Sequence, residues 1–268
     1  MGGTQSKKIN VLVPMAGAGS RFAKVGYTAP KPLIDVNGKP MVKWVIDNMK
    51  AEGYELQFTF VIQESHEKEF GIATELKAMI PGVNIVYVEK LTEGAACTCL
   101  LAEAHINNDT PLVIANSDQF IEWNAAAFYE ASVKDGVDGG ILTFTVPMAN
   151  NDTKWSYAKL DDKGYVTDVQ EKVVISEHAT VGVYHWSKGS DFVWQAKQMI
   201  KKDIRVNGEF YVCPVYNEGI AKGQKYIIHD CTRMWGLGVP DDLEHFLATY
   251  IPQVKGVRGT CKHRPAAK

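Results

Sequence analysis

Three short stretches carry side chains whose types and spacing suit phosphate chemistry. The first follows the apolar run over 11–13, breaks at Pro14, and continues through Gly17, Ala18, Gly19, Ser20 and Arg21. Glycines at such a turn let backbone N–H groups close on phosphate oxygens with no Cβ in the way. Arg21 adds a rigid guanidinium fork, and Lys31, set between Pro30 and Pro32, adds a second cation on a stiff frame. A glycine turn with two cations suits a polyphosphate. The second stretch, Asn116-Ser117-Asp118, ends an apolar run over 111–115. A carboxylate there can hold a magnesium ion against a nucleotide phosphate, or it can cap a following helix. The third, Glu171-Lys172, follows the strand-like VTDVQ and reads either as a substrate contact or as a solvated surface pair.

Two familiar glycine fingerprints do not fit. The dinucleotide pattern wants a third glycine where Phe22 stands, which argues against a dinucleotide oxidoreductase, and the P-loop wants Gly-Lys-Ser/Thr at its end. A strand followed by Gly17-x-Gly19-x-Arg21 and then Pro30-Lys31-Pro32-Leu33 instead resembles the signature of the sugar-phosphate nucleotidyltransferases, or pyrophosphorylases, a family that includes small-molecule cytidylyltransferases. The resemblance runs from Ile9 to about Leu247. It implies an α/β fold, a Rossmann-like doubly wound mixed sheet of the GT-A-like kind with an added antiparallel substrate lobe. The implied reaction transfers NMP from an NTP to the phosphate of a small phosphorylated acceptor, by default a sugar 1-phosphate, and releases pyrophosphate with Mg2+ as cofactor.

Carried onto this chain, the resemblance sets Met15, Ala16, Gly17, Ala18, Gly19, Ser20, Gly94, Ala95 and Asn116 around the nucleotide. It puts Arg21 on the leaving pyrophosphate, Lys31 on the polyphosphate, Asp118 on magnesium and Lys172 on the attacking phosphate. Glu171, Tyr157 and Gly182 are the implied acceptor contacts. Val173 replaces the proline of the family's Glu-Lys-Pro, and Ala158 the glycine of its Tyr-Gly segment. Five residues before Gly94, where the family often has a base-reading glutamine, stands Glu89. A carboxylate only accepts, so it suits the exocyclic amine of cytosine and repels the carbonyl edge of uracil or thymine, which favours CTP. As a plain surface group it would pair with Lys90. The family's late Trp-x-Asp-x-Gly-Thr-Pro-Glu-Asp motif supplies a second metal carboxylate, and aligned on Gly238 and Pro240 that aspartate falls on Gly236. Asp118 with phosphates and water, or Asp230, is then left to hold magnesium, with Asp241 and Asp242 expected as helix caps. A non-sugar phosphorylated alcohol is an alternative acceptor. A nucleotide-binding module with little turnover is an alternative to an enzyme.

The chain has 268 residues and 46% hydrophobic content, enough for a substantial core. Its formal charge of −2 gives no global pull toward nucleic acid or a membrane, so phosphate-binding charge must be local. No apolar run approaches a membrane span and no signal-peptide run precedes the first strand, so a cytoplasmic setting is expected. Five cysteines, an odd number without zinc-like pairing, read as free thiols. The N-terminal sequence through Ser6, followed by Lys7 and Lys8, matches an N-myristoylation pattern at Gly2 or reads as an unstructured leader.

The elements that would position these groups follow from periodicity. Met41, Val42, Val45, Ile46 and Met49 recur at helical spacing after Pro40. Strands are predicted over 56–62, 84–88 and 111–115, alternating with helices over 66–79 and 95–105. That alternation predicts a parallel sheet covered on both faces, with ligand beyond the carboxyl ends of its strands. From Gly140 the rhythm changes to strands over 141–146, 155–160, 166–171 and 180–185, an antiparallel extension of the sheet. A helix over 187–201, a strand over 225–230 and a helix over 241–250 complete the pattern. The expected organisation is a leader over 1–8, one nucleotidyltransferase domain over 9–252 and a basic tail over 253–268. The family is often dimeric or tetrameric, so a homo-oligomer is an expectation from resemblance alone.

Overall fold

The computed structural model describes residues 6–250. Gly2 and the basic tail expected over 253–268 therefore lie outside the described residues. Strand β1 (Lys7–Pro14) begins inside the stretch expected as a leader, since Lys7 and Lys8 already pair with Tyr54 and Glu55. In chain order there follow helix α1 (Ser20–Lys24), a small hairpin of β2 (Asp35–Val36) and β3 (Lys39–Pro40), helix α2 (Met41–Met49) and strand β4 (Tyr54–Gln63). Helices α3 (Glu64–Phe70) and α4 (Ile72–Met79), strand β5 (Asn84–Val88), helices α5 (Ala95–Leu100) and α6 (Glu103–Ile106) and strand β6 (Leu112–Ala115) complete the first half. The second half runs β7 (Gln119–Glu122), α7 (Ala125–Ser132), β8 (Gly139–Thr145), β9 (Ser156–Leu160), β10 (Val166–Glu171) and β11 (His178–Trp186). It ends with α8 (Gly189–Lys201), α9 (Tyr216–Ile220), β12 (Tyr226–Asp230), β13 (Arg233–Gly236) and α10 (Pro240–Thr249).

Nine strands form one mixed sheet in the order β10-β9-β11-β6-β1-β4-β5, with β8 and β12 branching from β11. β1, β4, β5 and β6 are mutually parallel, as the alternation of strand and helix predicts, and β11 joins β6 antiparallel. Side chains of β1 alternate between two cores. Leu12 packs with Val61, Ile114, Phe192 and Tyr216 on one face, and Val11 and Val13 pack with Ile46, Phe60 and Phe128 on the other. Both faces are thus covered by helices, which is why the sequence of β1 is apolar without alternation. Fully burying each such side chain is worth roughly 1.5–3 kcal/mol.

Three features go beyond the sequence reading. The helix expected over 66–79 is two helices, broken at Gly71, whose φ of 62° is left-handed, with Glu67 Oε2 accepting from Ala73 N at 2.6 Å. The helix expected over 95–105 likewise divides after Leu100. β7 and β13, neither anticipated, pair as a separate two-stranded sheet. That small sheet belongs to a third apolar cluster, in which Phe22, Ile34, Met41, Trp44, Trp235, Leu237, Leu243 and Phe246 pack together. The cluster joins the segment after the glycine turn to the start of α10, elements more than two hundred residues apart in sequence, and so sets one wall of the site.

Candidate functional site

The parallel strands β1, β4, β5 and β6 all end at one edge, so the glycine turn after Pro14, Glu89 and Asn116 emerge there together. β11 is longer than β6. Their pairing stops with Val183 opposite Ala115, and residues 178–182 run on past the edge. Ala179 in that overhang pairs with Tyr157, which brings β9 and β10 over the same edge. The overhang is bulged between Thr180 and Tyr184, and Gly182 within it has a φ of 79°. Its carbonyl accepts from Asn116 N at 2.9 Å. A Cβ on Gly182 would stand 2.1 Å from Asn116 Nδ2, so glycine is what lets Asn116 sit against the bulge.

Here lies a cavity of about 640 Å3 lined by cations and carboxylates from distant parts of the chain. Arg21 and Lys31 enter from the glycine-turn side, Asp118 from the end of β6, and Glu171 and Lys172 from the end of β10. Lys31 Nζ is 2.7 Å from Asp118 Oδ2, with both side chains about three-quarters buried. Gly19, at φ 60°, packs toward Lys31, whose Cβ would be 3.6 Å from an added Cβ at that glycine. Asp118 does not cap a helix: it leads into β7, and the cap of α7 is Asn124, whose Oδ1 accepts from Ala127 N at 3.1 Å.

On the opposite wall Glu171 is buried and its carboxylate accepts from the Ser156 hydroxyl. Burial raises its carboxyl above the ordinary value, and the Ser156 hydrogen bond and Lys172 offset this only in part. Lys172 takes a left-handed backbone, φ 59°, at the end of β10 and donates to Tyr211 Oη at 2.6 Å. That bond holds its ammonium charged to higher pH than usual.

Of the expected contacts, Arg21, Lys31, Ala95, Asn116, Asp118, Glu171, Lys172 and Gly182 line this cavity. Met15 and Ala16 are buried under the turn, with Ala16 O accepting from Gln63 Nε2 at 2.6 Å, while Gly17, Ala18 and Ser20 are exposed beside it. Glu89 is exposed past the end of β5 and does not line the cavity. Gly94 packs its Cα against the backbone of Phe210, where an added Cβ would meet Phe210 N and O at 2.5 Å. Tyr157 corrects the expectation for an acceptor contact: it is fully buried in a small apolar cluster, and its hydroxyl donates to Asp152 O at 2.6 Å. Side chains alternate along a strand, and the register sets Ser156 opposite Glu171, so Ser156 faces the cavity and Tyr157 faces away.

Asp230 accepts from Thr143 Oγ1 at 2.6 Å and is not among the cavity's lining residues. Asp242 is not the cap of α10; its carboxylate lines the cavity and accepts from Lys154 Nζ at 3.0 Å. Lys154, Ser156, Tyr211 and Asp242 are polar lining residues among those that the sequence reading did not single out as site contacts. Ser156 was within reach of a period-two reading of β9, whereas nothing local marks Tyr211.

A family model described as nucleotidyl transferase matches residues 11–214. The chain belongs to the nucleotidyl transferase family. Among curated members, a 2-aminoethylphosphonate cytidylyltransferase of Lancefieldella rimae is 30% identical over 41% of this chain and 50% of its own length. A UTP–glucose-1-phosphate uridylyltransferase of Haloferax volcanii is 26% identical over 61% of this chain and 65% of its own. The chain thus spans about half the length of the first of these relatives and just under two thirds of the second. Among solved structures, a nucleoside-diphosphate-sugar pyrophosphorylase of Vibrio cholerae superposes with a TM-score of 0.73 at 24% identity, covering 89% of this chain and 99% of that one. An inositol-1-phosphate CTP transferase of T. maritima superposes at 0.68 and 16% identity, over 89% and 92%. These likenesses show that the fold is the mixed α/β sheet of the nucleotidyltransferase pyrophosphorylases. No helix among the described residues is long and apolar enough to cross a membrane.

Proposed function

We propose that this protein is a nucleotidyltransferase that moves NMP from an NTP, with CTP favoured, onto the phosphate of a small phosphorylated acceptor. The observation that carries this reading is the convergence of Arg21, Lys31, Asp118, Glu171 and Lys172 on one cavity large enough for a nucleotide and a small partner. An acceptor phosphate oxygen attacks the α-phosphorus; the bond from that phosphorus to its bridging oxygen breaks, and pyrophosphate leaves. No covalent enzyme intermediate is required, so catalysis consists of alignment and charge neutralisation. Lys172, steadied by Tyr211, holds the acceptor phosphate, and Glu171 accepts from acceptor hydroxyls. Arg21 and Lys31 hold the β- and γ-phosphates of the leaving group.

The donor set fits a hard cation: Asp118 offers a carboxylate oxygen, and a Lys31 ammonium already stands at that oxygen at 2.7 Å. Magnesium, when bound there, supplies neutralisation of charge on the transferring phosphate. A cytosolic site of action belongs to the same reading, in keeping with Cys97, Cys99, Cys213 and Cys231, the cysteines among the described residues, being free thiols.

CTP is favoured by Glu89, exposed beside the edge where the nucleotide would lie, and by the cytidylyltransferase among the relatives. A second acceptor class, a phosphorylated amino alcohol or an aminoalkylphosphonate in place of a sugar 1-phosphate, is favoured by that same relative's named substrate. Pyrophosphate release with ATP, CTP, GTP, UTP and dTTP in turn, with Mg2+ and a panel of both acceptor classes, tests the reading. Release with CTP alone supports Glu89 as base reader; release with UTP or dTTP keeps the enzyme and removes that role; nucleotide binding without release throughout would indicate a binding module.

A further inference from the structure

The stretch Gly236-Leu237-Gly238 forms the floor between two carboxylates. A Cβ built on Gly238 would meet Asp118 Oδ2 at 2.5 Å, and one built on Gly236 would meet Asp242 Oδ2 at 2.9 Å. Leu237 points the other way into the third apolar cluster and is fully buried, while its N–H donates to Asp118 O at 2.8 Å. The two glycines therefore face the cavity from alternate positions of the chain where β13 ends, and each leaves the room that a carboxylate oxygen occupies.

Each carboxylate already carries a cation. Lys31 Nζ is 2.7 Å from Asp118 Oδ2, and Lys154 Nζ is 3.0 Å from Asp242 Oδ2. The Lys154–Asp242 pair is open to water, with side-chain exposures of 50% and 31%, so it adds little to stability. Asp242 comes from the first turn of α10, whose Leu243 and Phe246 are buried in the same apolar cluster as Leu237. Packing of that cluster, and not the ion pair, holds its carboxylate over Gly236.

We propose that Asp242 is the second metal-ligating carboxylate of this site, acting with Asp118 on one divalent cation over the Gly236-Leu237-Gly238 floor. The proposal rests on the nucleotidyl-transfer reading of the same cavity. A side chain at Gly236 would press on the Asp242 carboxylate, so the glycine there, where a carboxylate would otherwise project, leaves Asp242 its place over the floor. Asp242 exchanges Lys154 for the cation, and Lys154, in the cavity wall, then faces phosphate oxygens instead of a carboxylate.

Mn2+ binding to the intact protein, read by enhancement of water-proton relaxation with and without CTP, tests this without reference to turnover. Asp242→Asn should weaken Mn2+ binding in the presence of CTP at least tenfold. Lys154→Met removes the competing ammonium and, read without CTP because Lys154 faces its phosphates, should leave Mn2+ binding within threefold of the parent or tighten it. The double variant Gly236→Asp/Asp242→Ala, which returns a carboxylate to the floor from the other position, should recover Mn2+ binding to within threefold of the parent. Asp242→Asn binding Mn2+ as the parent does, or Lys154→Met losing Mn2+ binding without CTP as fully as Asp242→Asn does, would overturn the proposal and reduce Asp242 to an anchor for Lys154. A parent protein that binds neither CTP nor Mn2+ would instead sink the nucleotidyl-transfer reading itself, an outcome visible before any variant is made.

Discussion

Lys31 Nζ stands 2.7 Å from Asp118 Oδ2, a contact between residues 87 positions apart that joins the segment after the glycine turn to the end of β6. In the reading proposed here the lysine serves the triphosphate and the aspartate serves the cation, so the pair is a resting arrangement that substrate rearranges. Asp118→Asn should lower kcat/KM by a factor on the order of 10²–10³, the size seen when one electrostatic stabiliser of a transition state is removed. Because partly exposed pairs contribute only about 0–1 kcal/mol, the melting temperature should barely move. Initial rates and thermal melts on one preparation check both halves.

Arg21 is exposed in α1 and lines the cavity. Arg21→Ala should therefore cost at least roughly a hundredfold in kcat/KM with unchanged stability, since what it loses is grip on the leaving pyrophosphate. A loss of only a few-fold would assign the leaving group to other residues.

Gly182→Ala tests the bulge that sets Asn116. The added Cβ would stand 2.1 Å from Asn116 Nδ2 on a backbone at φ 79°, so both space and conformation oppose it. A loss of about 1–3 kcal/mol in unfolding free energy is expected, with a drop in nucleotide affinity. Denaturant melts and nucleotide titration measure the two separately.

Burial raises the carboxyl pKa of Glu171 above its ordinary value of 4.5. A carboxyl that holds its proton to higher pH when folded than when unfolded contributes stability in full below the unfolded value, and that contribution is lost as pH rises through the folded one. Above that window the ionised carboxylate is a burden on the fold. Glu171→Gln keeps a partner for Ser156 and removes the burden, so the variant should gain stability relative to the parent as pH is raised from 4.5 to 8. Melting temperatures of the two proteins across that range give the answer. A difference that shrinks with rising pH would contradict the assignment, whatever the effect on acceptor recognition.

Tyr211→Phe removes the hydroxyl to which Lys172 Nζ donates at 2.6 Å. Hydrogen bonds to charged groups are worth about 1.5–3 kcal/mol, so the KM for the acceptor should rise roughly ten- to hundredfold while the KM for the NTP stays put. An equal rise in both would place Tyr211 outside acceptor positioning.

Much of the first half of the fold was legible because its strands obey a simple rule. A parallel strand buried on both faces must be apolar throughout, and runs such as those in β1 and β6 can be little else. The same rule located Asp118 and the glycine turn, because ligands gather where such strands end. Tyr157 escaped since its position depends on which side of β9 faces Glu171, a matter of cross-strand register. Tyr211 and Asp242 escaped because they reach the cavity through tertiary packing: Tyr211 follows the irregular stretch after α8, and Asp242 is delivered by the cluster around Leu237, Leu243 and Phe246. The break at Gly71 was missed because the apolar spacing on either side of it is helical, and only the left-handed φ of 62° shows the division.

The most direct test follows the α-phosphorus itself. Phosphorus NMR of the protein with CTP, Mg2+ and a phosphorylated acceptor should show two coupled diphosphate resonances, one from the former α-phosphate and one from the acceptor, growing as free pyrophosphate appears. Neither should form when the acceptor is omitted, and with Asp118→Asn in place of the parent both should grow on the order of 10²–10³ times more slowly. Pyrophosphate and CMP appearing without any new diphosphate linkage, or CTP bound yet unchanged with every acceptor and every NTP, would contradict nucleotidyl transfer as the function of this site.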